Sequence, residues 1–354
     1  MSDCVKIVVV GDKSISPEVL EEAARGLNVD GKKIIKKLWW GSHIRSEMQQ
    51  QLLKVEVNGP EAEPFAEGLL EEIGDADYLL SHLGTIPREV IERAEKLKLI
   101  GACRGGMEMV DVQAATEKGI KVMHVIRNAE AASDFAVGLI FAETRNIARS
   151  YAAIRQGSWR KEYVNSGYTT SMREMTAGIV GLGHIGKLTA QKLLGLGMKV
   201  CGYDPYVSQE ALSLAGINKV EMIPLEELFE RADIVSLHMR VTPETEGIID
   251  RKLLSRMKKT AYLINTSRAK VLNKKDFVEA LEKRQIGGAG IDVFWDEPLL
   301  PDDPLLKLDN ITMTSHMAGN VVDALPKSPF LLVKTINQYL KTGKSDMLVN
   351  RIDK

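Results

Sequence analysis

Along the chain, short runs of aliphatic and β-branched residues alternate with longer stretches in which apolar positions recur every three to four residues. Val5 to Val10 is the first run, and it stops at Gly11-Asp12. Beyond Ser16-Pro17, residues Val19, Leu20, Ala23 and Ala24 fall on one helical face, with proline at a position where its missing N–H costs nothing. A strand over Tyr78 to Leu80, a helix opened by Ile86-Pro87 and running through Lys96, and a strand over Leu97 to Ala102 follow one another closely. A helix near Asp111 to Lys118 and a strand over Lys121 to His124 continue the series. Strands that alternate with helices predict a parallel sheet, because parallel neighbours need a crossover connection.

From Thr176 the alternation restarts. Ala177 to Val180, Met198 to Tyr203, Asp233 to His238, Ala261 to Asn265, Gly288 to Asp292 and Asn310 to Thr314 predict six strands of a second doubly wound sheet. The longest helical pattern, Ala129 to Gln156, lies between the two series, and its segment Phe135 to Ala142 carries no charge on any face. Such a helix is expected to be buried all round, between two domains or between two subunits. A final helical pattern, Val321 to Leu340, has no further strand to serve and is expected to return to the first domain. The expected fold is therefore α/β, with two Rossmann-like doubly wound parallel-sheet domains. The first, flavodoxin-like and discontinuous, takes residues 1–125 plus 321–354; the second takes residues 126–320.

The length of 354 residues suits two domains, and an apolar share of 44% with 27% charged residues excludes a disordered or collagenous chain. The net charge is −1, without long runs of one sign, so no basic footprint for nucleic acid is present. Cys4, Cys103 and Cys201 are odd in number and widely spaced, so neither a disulfide framework nor a structural metal is expected. The amino terminus, Met1-Ser2-Asp3-Cys4, is polar, and no uncharged apolar stretch approaches the roughly 18 residues of a membrane span. A cytoplasmic protein is expected.

Chemistry enters with Gly181-Leu182-Gly183-His184-Ile185-Gly186, which follows a strand, opens a helix and precedes Asp204 at the end of the next strand. Gly181 permits the turn, Gly183 lets backbone approach a pyrophosphate, and Gly186 lets the helix lie close to the sheet, while His184 lines the loop. Asp204 would accept hydrogen bonds from ribose hydroxyls and repel a 2′-phosphate, so NAD is expected rather than NADP. Hydride transfer to a carbonyl further needs a proton donor and a cation. Three strand ends supply candidates: Asn265-Thr266-Ser267-Arg268-Ala269, Asp292-Val293-Phe294-Trp295-Asp296-Glu297-Pro298, and Thr314-Ser315-His316-Met317-Ala318-Gly319. The other histidines of the two sheets, His82, His124 and His238, and His43 read by themselves as packing or surface residues.

Taken in this order, the motifs resemble those of the D-isomer-specific 2-hydroxyacid dehydrogenase family: N-x-[AS]-R-G, D-V-F-x-x-E-P and P-H-x-A-G after a dinucleotide fingerprint. The resemblance covers nearly the whole chain. It implies that His316 is the general acid, that Glu297 holds its imidazole, and that Arg268 pairs with the substrate carboxylate and polarises the carbonyl. It also implies an active site in the cleft between the domains. Gly105 and Gly106 match a carboxylate-holding loop; His82 and Asn128 fall on the substrate side; Thr266, Ser267, Asp292, Met239, Ile185 and Gly319 fall on the cofactor side. Ala269, Asn273, Ser315 and Asp134 depart from the family pattern without removing a catalytic group. Related phosphoglycerate dehydrogenases place an arginine in the loop that here reads Leu80-Ser81-His82-Leu83-Gly84, although Arg104 or Arg127 could substitute. Read as ending at Lys354, the chain would also lack the regulatory domains some members append. The resemblance thus implies an NAD-dependent reductase of a small 2-oxoacid in the glyoxylate or hydroxypyruvate range, working as a homodimer through the Ala129 to Gln156 region. A phosphoglycerate dehydrogenase and an NAD-sensing, corepressor-like binding module are the alternatives.

Overall fold

The computed structural model describes residues 4–214 and 216–350, so Met1 to Asp3 lie outside the described residues. The chain divides into two compact units, one of residues up to Arg127 together with those from Val321, the other Asn128–Asn320.

The first unit contains five parallel strands, β1 (Cys4–Gly11), β2 (Lys32–Trp39), β3 (Tyr78–Ser81), β4 (Leu99–Ala102) and β5 (Lys121–His124), in the order β2-β1-β3-β4-β5. Successive side chains of a strand point to opposite faces. Val8 and Val10 accordingly enter one core with Leu79 and Ile100, while Ile7 and Val9 enter another with Leu80 and Leu99. A sheet covered on both faces needs this continuous apolar run. The helix Ala324–Thr342 supplies Leu332, Val333 and Ile336 to the second core. Its Asn337 accepts the Asn28 N–H at 2.7 Å and donates to Gly26 O at 2.8 Å, so the returning helix is fastened by polar as well as apolar contacts.

Two elements of this unit have no clear apolar signature. β2 reads Lys-Lys-Ile-Ile-Lys-Lys-Leu-Trp, an edge strand whose lysines keep it soluble. The helix Arg45–Asn58 buries only Met48 and Val55.

The second unit contains β6 (Thr176–Val180), β7 (Lys199–Tyr203), β8 (Val220–Met222), β9 (Ile234–Leu237), β10 (Tyr262–Asn265), β11 (Gly288–Ile291) and β12 (Ile311–Met313). They form one parallel sheet in the order β12-β11-β10-β9-β6-β7-β8. This is seven strands where six were expected, because the edge strand β8, Val-Glu-Met, has a glutamate at its centre and presents no apolar run. The strand order reverses between β6 and β9, and open α/β sheets bind ligands at such a reversal.

The expected single helix over Ala129 to Gln156 is two helices, Ala129–Thr144 and Ile147–Arg155. They break at Asn146, which adopts φ +57° and donates through its side chain to Asn165 Oδ1 at 2.6 Å. Asparagine tolerates this left-handed conformation better than most residues. The longest described helix is instead Ala324–Thr342. Nor is Phe135 to Ala142 buried all round within the chain: Ala136, Leu139 and Ile140 are buried, whereas Phe135, Val137 and Phe141 are half-buried and Gly138 is exposed. Among the described residues no helix is long and apolar enough to cross a membrane.

Candidate active site

At the reversal point β6 runs into Gly181, whose φ of +91° lies in the region glycine favours. A Cβ there would stand 2.8 Å from His238 O and 3.2 Å from Met239 Cγ, so the turn can close on the end of β9 only with glycine. A Cβ on Gly186 would overlap Gly181 O, which fixes the helix His184–Gly195 directly against the turn. Gly183 is different, because a Cβ there would meet nothing within 4 Å. Two glycines thus serve chain packing, and the middle one leaves open backbone at a helix N-terminus, with His184 and Ile185 half-buried beside it. Asp204 Oδ2 accepts the Leu182 N–H at 2.8 Å and its Oδ1 accepts the Tyr206 N–H at 2.9 Å. A carboxylate is thereby fixed at the rim of the turn. Farther along the same edge, Thr266 Oγ1 is buried and makes no hydrogen bond, an unmet polar group that a bound amide would satisfy. An open glycine face, a fixed acid and an orphaned hydroxyl fit a dinucleotide.

The reacting groups follow β10, β11 and β12. Asn265, buried at the end of β10, accepts the Ser267 N–H at 3.0 Å and the Ser267 hydroxyl at 2.8 Å, and donates to Arg268 O at 3.0 Å. This knot holds the turn that presents Arg268, which is exposed and donates to Ser267 O at 2.7 Å. Ser267, placed by resemblance on the cofactor side, spends its donor on the turn. Asp292, fully buried after β11, accepts from Thr314 Oγ1 at 2.6 Å, from the Met317 N–H at 2.9 Å and from the Ala318 N–H at 2.8 Å. Its carboxylate rivets the loop after β12, so the structure gives Asp292 a loop-holding task that its motif did not suggest.

That loop carries His316 at φ +53°, a left-handed conformation uncommon outside glycine that histidine accepts more readily than most residues. His316 Nδ1 lies 2.7 Å from Glu297 Oε2, and Glu297 Oε1 accepts the Phe294 N–H at 2.9 Å. Burial pushes the Glu297 pKa up, but the hydrogen bonds from His316 and Phe294 and the charges of His316 and Arg268 outweigh it, and the net shift is downward. An ionised Glu297 accepts the Nδ1 proton and leaves Nε2 to exchange a proton with a ligand. The pair borders a cavity of about 640 Å³ with Phe294, Leu299, Met313 and Met317 in its wall. Gly319 ends the loop beside Asn128, since a Cβ on it would stand 2.5 Å from Asn128 Nδ2. Arg268, Glu297 and His316 are therefore brought together on the second unit.

The remaining candidates lie on the first unit. Gly105 is exposed, and a Cβ on it would meet nothing within 4 Å, whereas Gly106 faces the Glu108 carboxylate. His82, expected as a substrate contact, is 3% exposed with both ring nitrogens engaged. Its Nδ1 is 2.8 Å from Asp12 Oδ2 and its Nε2 is 3.3 Å from Arg127 Nη1. Burial lowers its pKa, the charges of Arg127 and Arg104 lower it further, and Asp12 opposes them. A neutral His82 that donates to Asp12 and accepts from Arg127 has nothing left for a ligand, which corrects the direct-contact role. Asp12 was missed by sequence reasoning; its only signal was its place at the end of a buried strand.

A family model described as "D-isomer specific 2-hydroxyacid dehydrogenase, NAD binding domain" matches residues 137–318. The chain belongs to this family. It is an NAD-dependent oxidoreductase by that membership, and NAD is its cofactor. The chain is 40% identical to a glyoxylate reductase of Korarchaeum cryptofilum over 73% of its own length and 78% of the relative's. It is 37% identical to a D-3-phosphoglycerate dehydrogenase of Methanocaldococcus jannaschii over 80% of its length, a match that spans only 53% of that protein. Among solved structures it resembles the PH0520 protein of Pyrococcus horikoshii, with a TM-score of 0.67 and 27% identity over 97% of this chain and 95% of that one.

Proposed function

We propose that this protein interconverts a small 2-oxoacid and the corresponding D-2-hydroxyacid. The observation that carries the reading is the His316–Glu297 pair at 2.7 Å beside Arg268, on the same sheet edge as the open glycine turn. Bound NADH supplies the hydride. His316 Nε2 gives a proton to the substrate oxygen in reduction and takes it back in oxidation. Glu297 keeps the imidazole oriented through its contact with Nδ1. Arg268, with a permanently charged planar fork, holds the 2-oxoacid carboxylate and polarises the neighbouring carbonyl. Thr266 would hold the nicotinamide amide and Asp204 the adenosine ribose, which would favour NADH over NADPH.

The named relatives divide between two substrates. The absence of arginine from Leu80 to Gly84 supports an unphosphorylated substrate in the glyoxylate or hydroxypyruvate range. Arg104 and Arg127 on the same unit support a phosphorylated one, as in a D-3-phosphoglycerate dehydrogenase. NADH oxidation with glyoxylate, hydroxypyruvate, pyruvate and 3-phosphohydroxypyruvate tests the proposal. Turnover of any of them is expected; NADH binding without turnover would instead support the non-catalytic binding module. A homodimer through Ala129–Gln156 is proposed as well, because Ile147, Tyr151 and Ile154 form one exposed apolar row on the helix Ile147–Arg155. Light scattering of the full chain at the mass of two copies is the expected result.

A further inference from the structure

The glycine turn faces a doubly charged pyrophosphate, yet the residues from Gly181 to Gly186 include no lysine or arginine. The N–H groups of a helix terminus offer only partial positive charge, and Asp204, fixed at the rim by the Leu182 N–H, adds a negative one. A full cation stands on the other flank. β6 lies between β7 and β9, so Asp204 follows the strand on one side of Gly181 and His238-Met239-Arg240 follows the strand on the other. The pairing continues past both strand ends: the Gly181 N–H donates to Tyr203 O at 2.8 Å, and the His238 N–H donates to Val180 O at 2.8 Å. His238 O and the Met239 side chain close directly on Gly181, and Arg240 is the next residue along. Its carbonyl accepts the Thr245 hydroxyl at 2.6 Å, and the same Thr245 Oγ1 accepts the Thr242 N–H at 2.8 Å. The backbone that carries Arg240 is thus tied on both sides. Its guanidinium is exposed and, among the described residues, makes no ion pair or hydrogen bond. Glu244, the first acid of the same turn, is engaged instead by Thr242, which holds its carboxyl below the usual range together with a backbone hydrogen bond.

We infer that Arg240 holds a phosphate of the bound dinucleotide from the flank of the glycine turn opposite Asp204, so that the cofactor is gripped between a cation after β9 and an acid after β7. The free guanidinium is a planar fork that matches phosphate oxygens, and its charge offsets that of Asp204. Every residue concerned lies in the second unit. The inference rests on the cofactor placement given above and not on the 2-oxoacid reading. The bridging pyrophosphate, common to NADH and NADPH, is the phosphate this placement favours, since Asp204 repels a group on the ribose 2′ oxygen.

The test measures Kd on the full chain for NADH and NADPH by fluorescence titration, and for ADP-ribose and adenosine by their displacement of NADH. The proteins compared are the wild type, Arg240→Met, Arg240→Lys and Gly183→Ala. Arg240→Met should keep the Tm of the ligand-free protein, because the side chain it replaces bonds to nothing in the chain. It should weaken NADH and ADP-ribose by about tenfold or more, as expected for a lost hydrogen bond to a charged group, and leave adenosine, which has no phosphate, unchanged. Arg240→Lys should recover part of the loss, since it keeps the charge without the fork. Equal losses for NADH and ADP-ribose put the contact on the pyrophosphate; a loss confined to NADPH puts it on the 2′-phosphate, and either sustains a phosphate contact. Unchanged binding of both NADH and NADPH in Arg240→Met, or an equal weakening of adenosine, overturns the inference. If Gly183→Ala still weakens NADH in that case, the pyrophosphate keeps its place over the turn and only the role of Arg240 falls. If neither variant weakens NADH, the cofactor placement has failed and the inference falls with it.

Discussion

His316 illustrates how much scaffolding one side chain needs. Its backbone sits at φ +53°, its loop is pinned through the Met317 and Ala318 N–H groups by Asp292, and its imidazole is held by Glu297. Each support comes from the segment after β11, so the acid and the group that orients it are fixed by one strand end. Removing the imidazole while leaving these supports should lower turnover by about 10²- to 10⁴-fold, the usual contribution of a general acid. In His316→Ala, NADH should bind as in the wild type, because the glycine turn and Asp204 are untouched; near-normal turnover would remove His316 from the mechanism. A second histidine gives a pH prediction. His238, at the end of β9 with its Nε2 2.9 Å from Ser236 Oγ, is pushed down by burial from 6.5 to about 4. The folded chain therefore binds this proton less readily than the unfolded chain. Its contribution to stability is complete above pH 6.5 and is lost as pH falls toward about 4, some 2 kcal/mol by about pH 5. Between pH 7.5 and 5 the urea midpoint of the wild type should fall farther than that of His238→Gln. Parallel losses would show that His238 carries no such linkage.

The glycine turn sets the argument for a whole element. Gly186→Ala should disrupt folding around the helix His184–Gly195, because its Cβ would overlap Gly181 O. Gly183→Ala has open space for its methyl and should fold with an unchanged Tm, yet bind NADH more weakly, since the methyl occupies ground a phosphate needs. Thermal unfolding with and without NADH separates the two, and a Gly183→Ala protein that binds NADH normally would move the pyrophosphate elsewhere. At this scale the sequence was readable where a pattern repeats. The buried strands announce themselves as apolar runs, and Arg268, Glu297 and His316 stand at three strand ends within recognisable motifs. Two edge strands were not readable, for reasons visible in β2, interrupted by four lysines, and in β8, whose three residues centre on Glu221. The break at Asn146 was hidden because its cause, a hydrogen bond to Asn165, lies nineteen residues away. The Asp12–His82–Arg127 chain was hidden likewise, since it joins residues seventy positions apart and then forty-five. Local patterns record propensity and burial; polar contacts between distant strand ends leave no local trace.

For the whole molecule, the connectivity has a consequence for independent folding. The chain enters the second unit at Asn128 and leaves it at Asn320, so this unit is one uninterrupted segment. The first unit, by contrast, is completed only when the helix Ala324–Thr342 returns to Ile7, Val9 and Leu80. The second unit has cores on both faces of its sheet, one containing Leu237, Leu263 and Phe277, the other Ile179, Leu193 and Tyr262. It also owns the glycine turn, Asp204 and Thr266. Residues 128–320 expressed alone should therefore fold cooperatively and bind NADH, which would raise the Tm by mass action, worth about 2.7 kcal/mol at a hundredfold excess over Kd. The fragment should not reduce any 2-oxoacid at the full rate if the Gly105–Gly106 loop of the first unit holds the substrate carboxylate, because that loop is absent from it. A folded fragment indifferent to NADH would mean that the first unit helps to hold the cofactor, and full activity in the fragment would exclude the first unit from substrate binding.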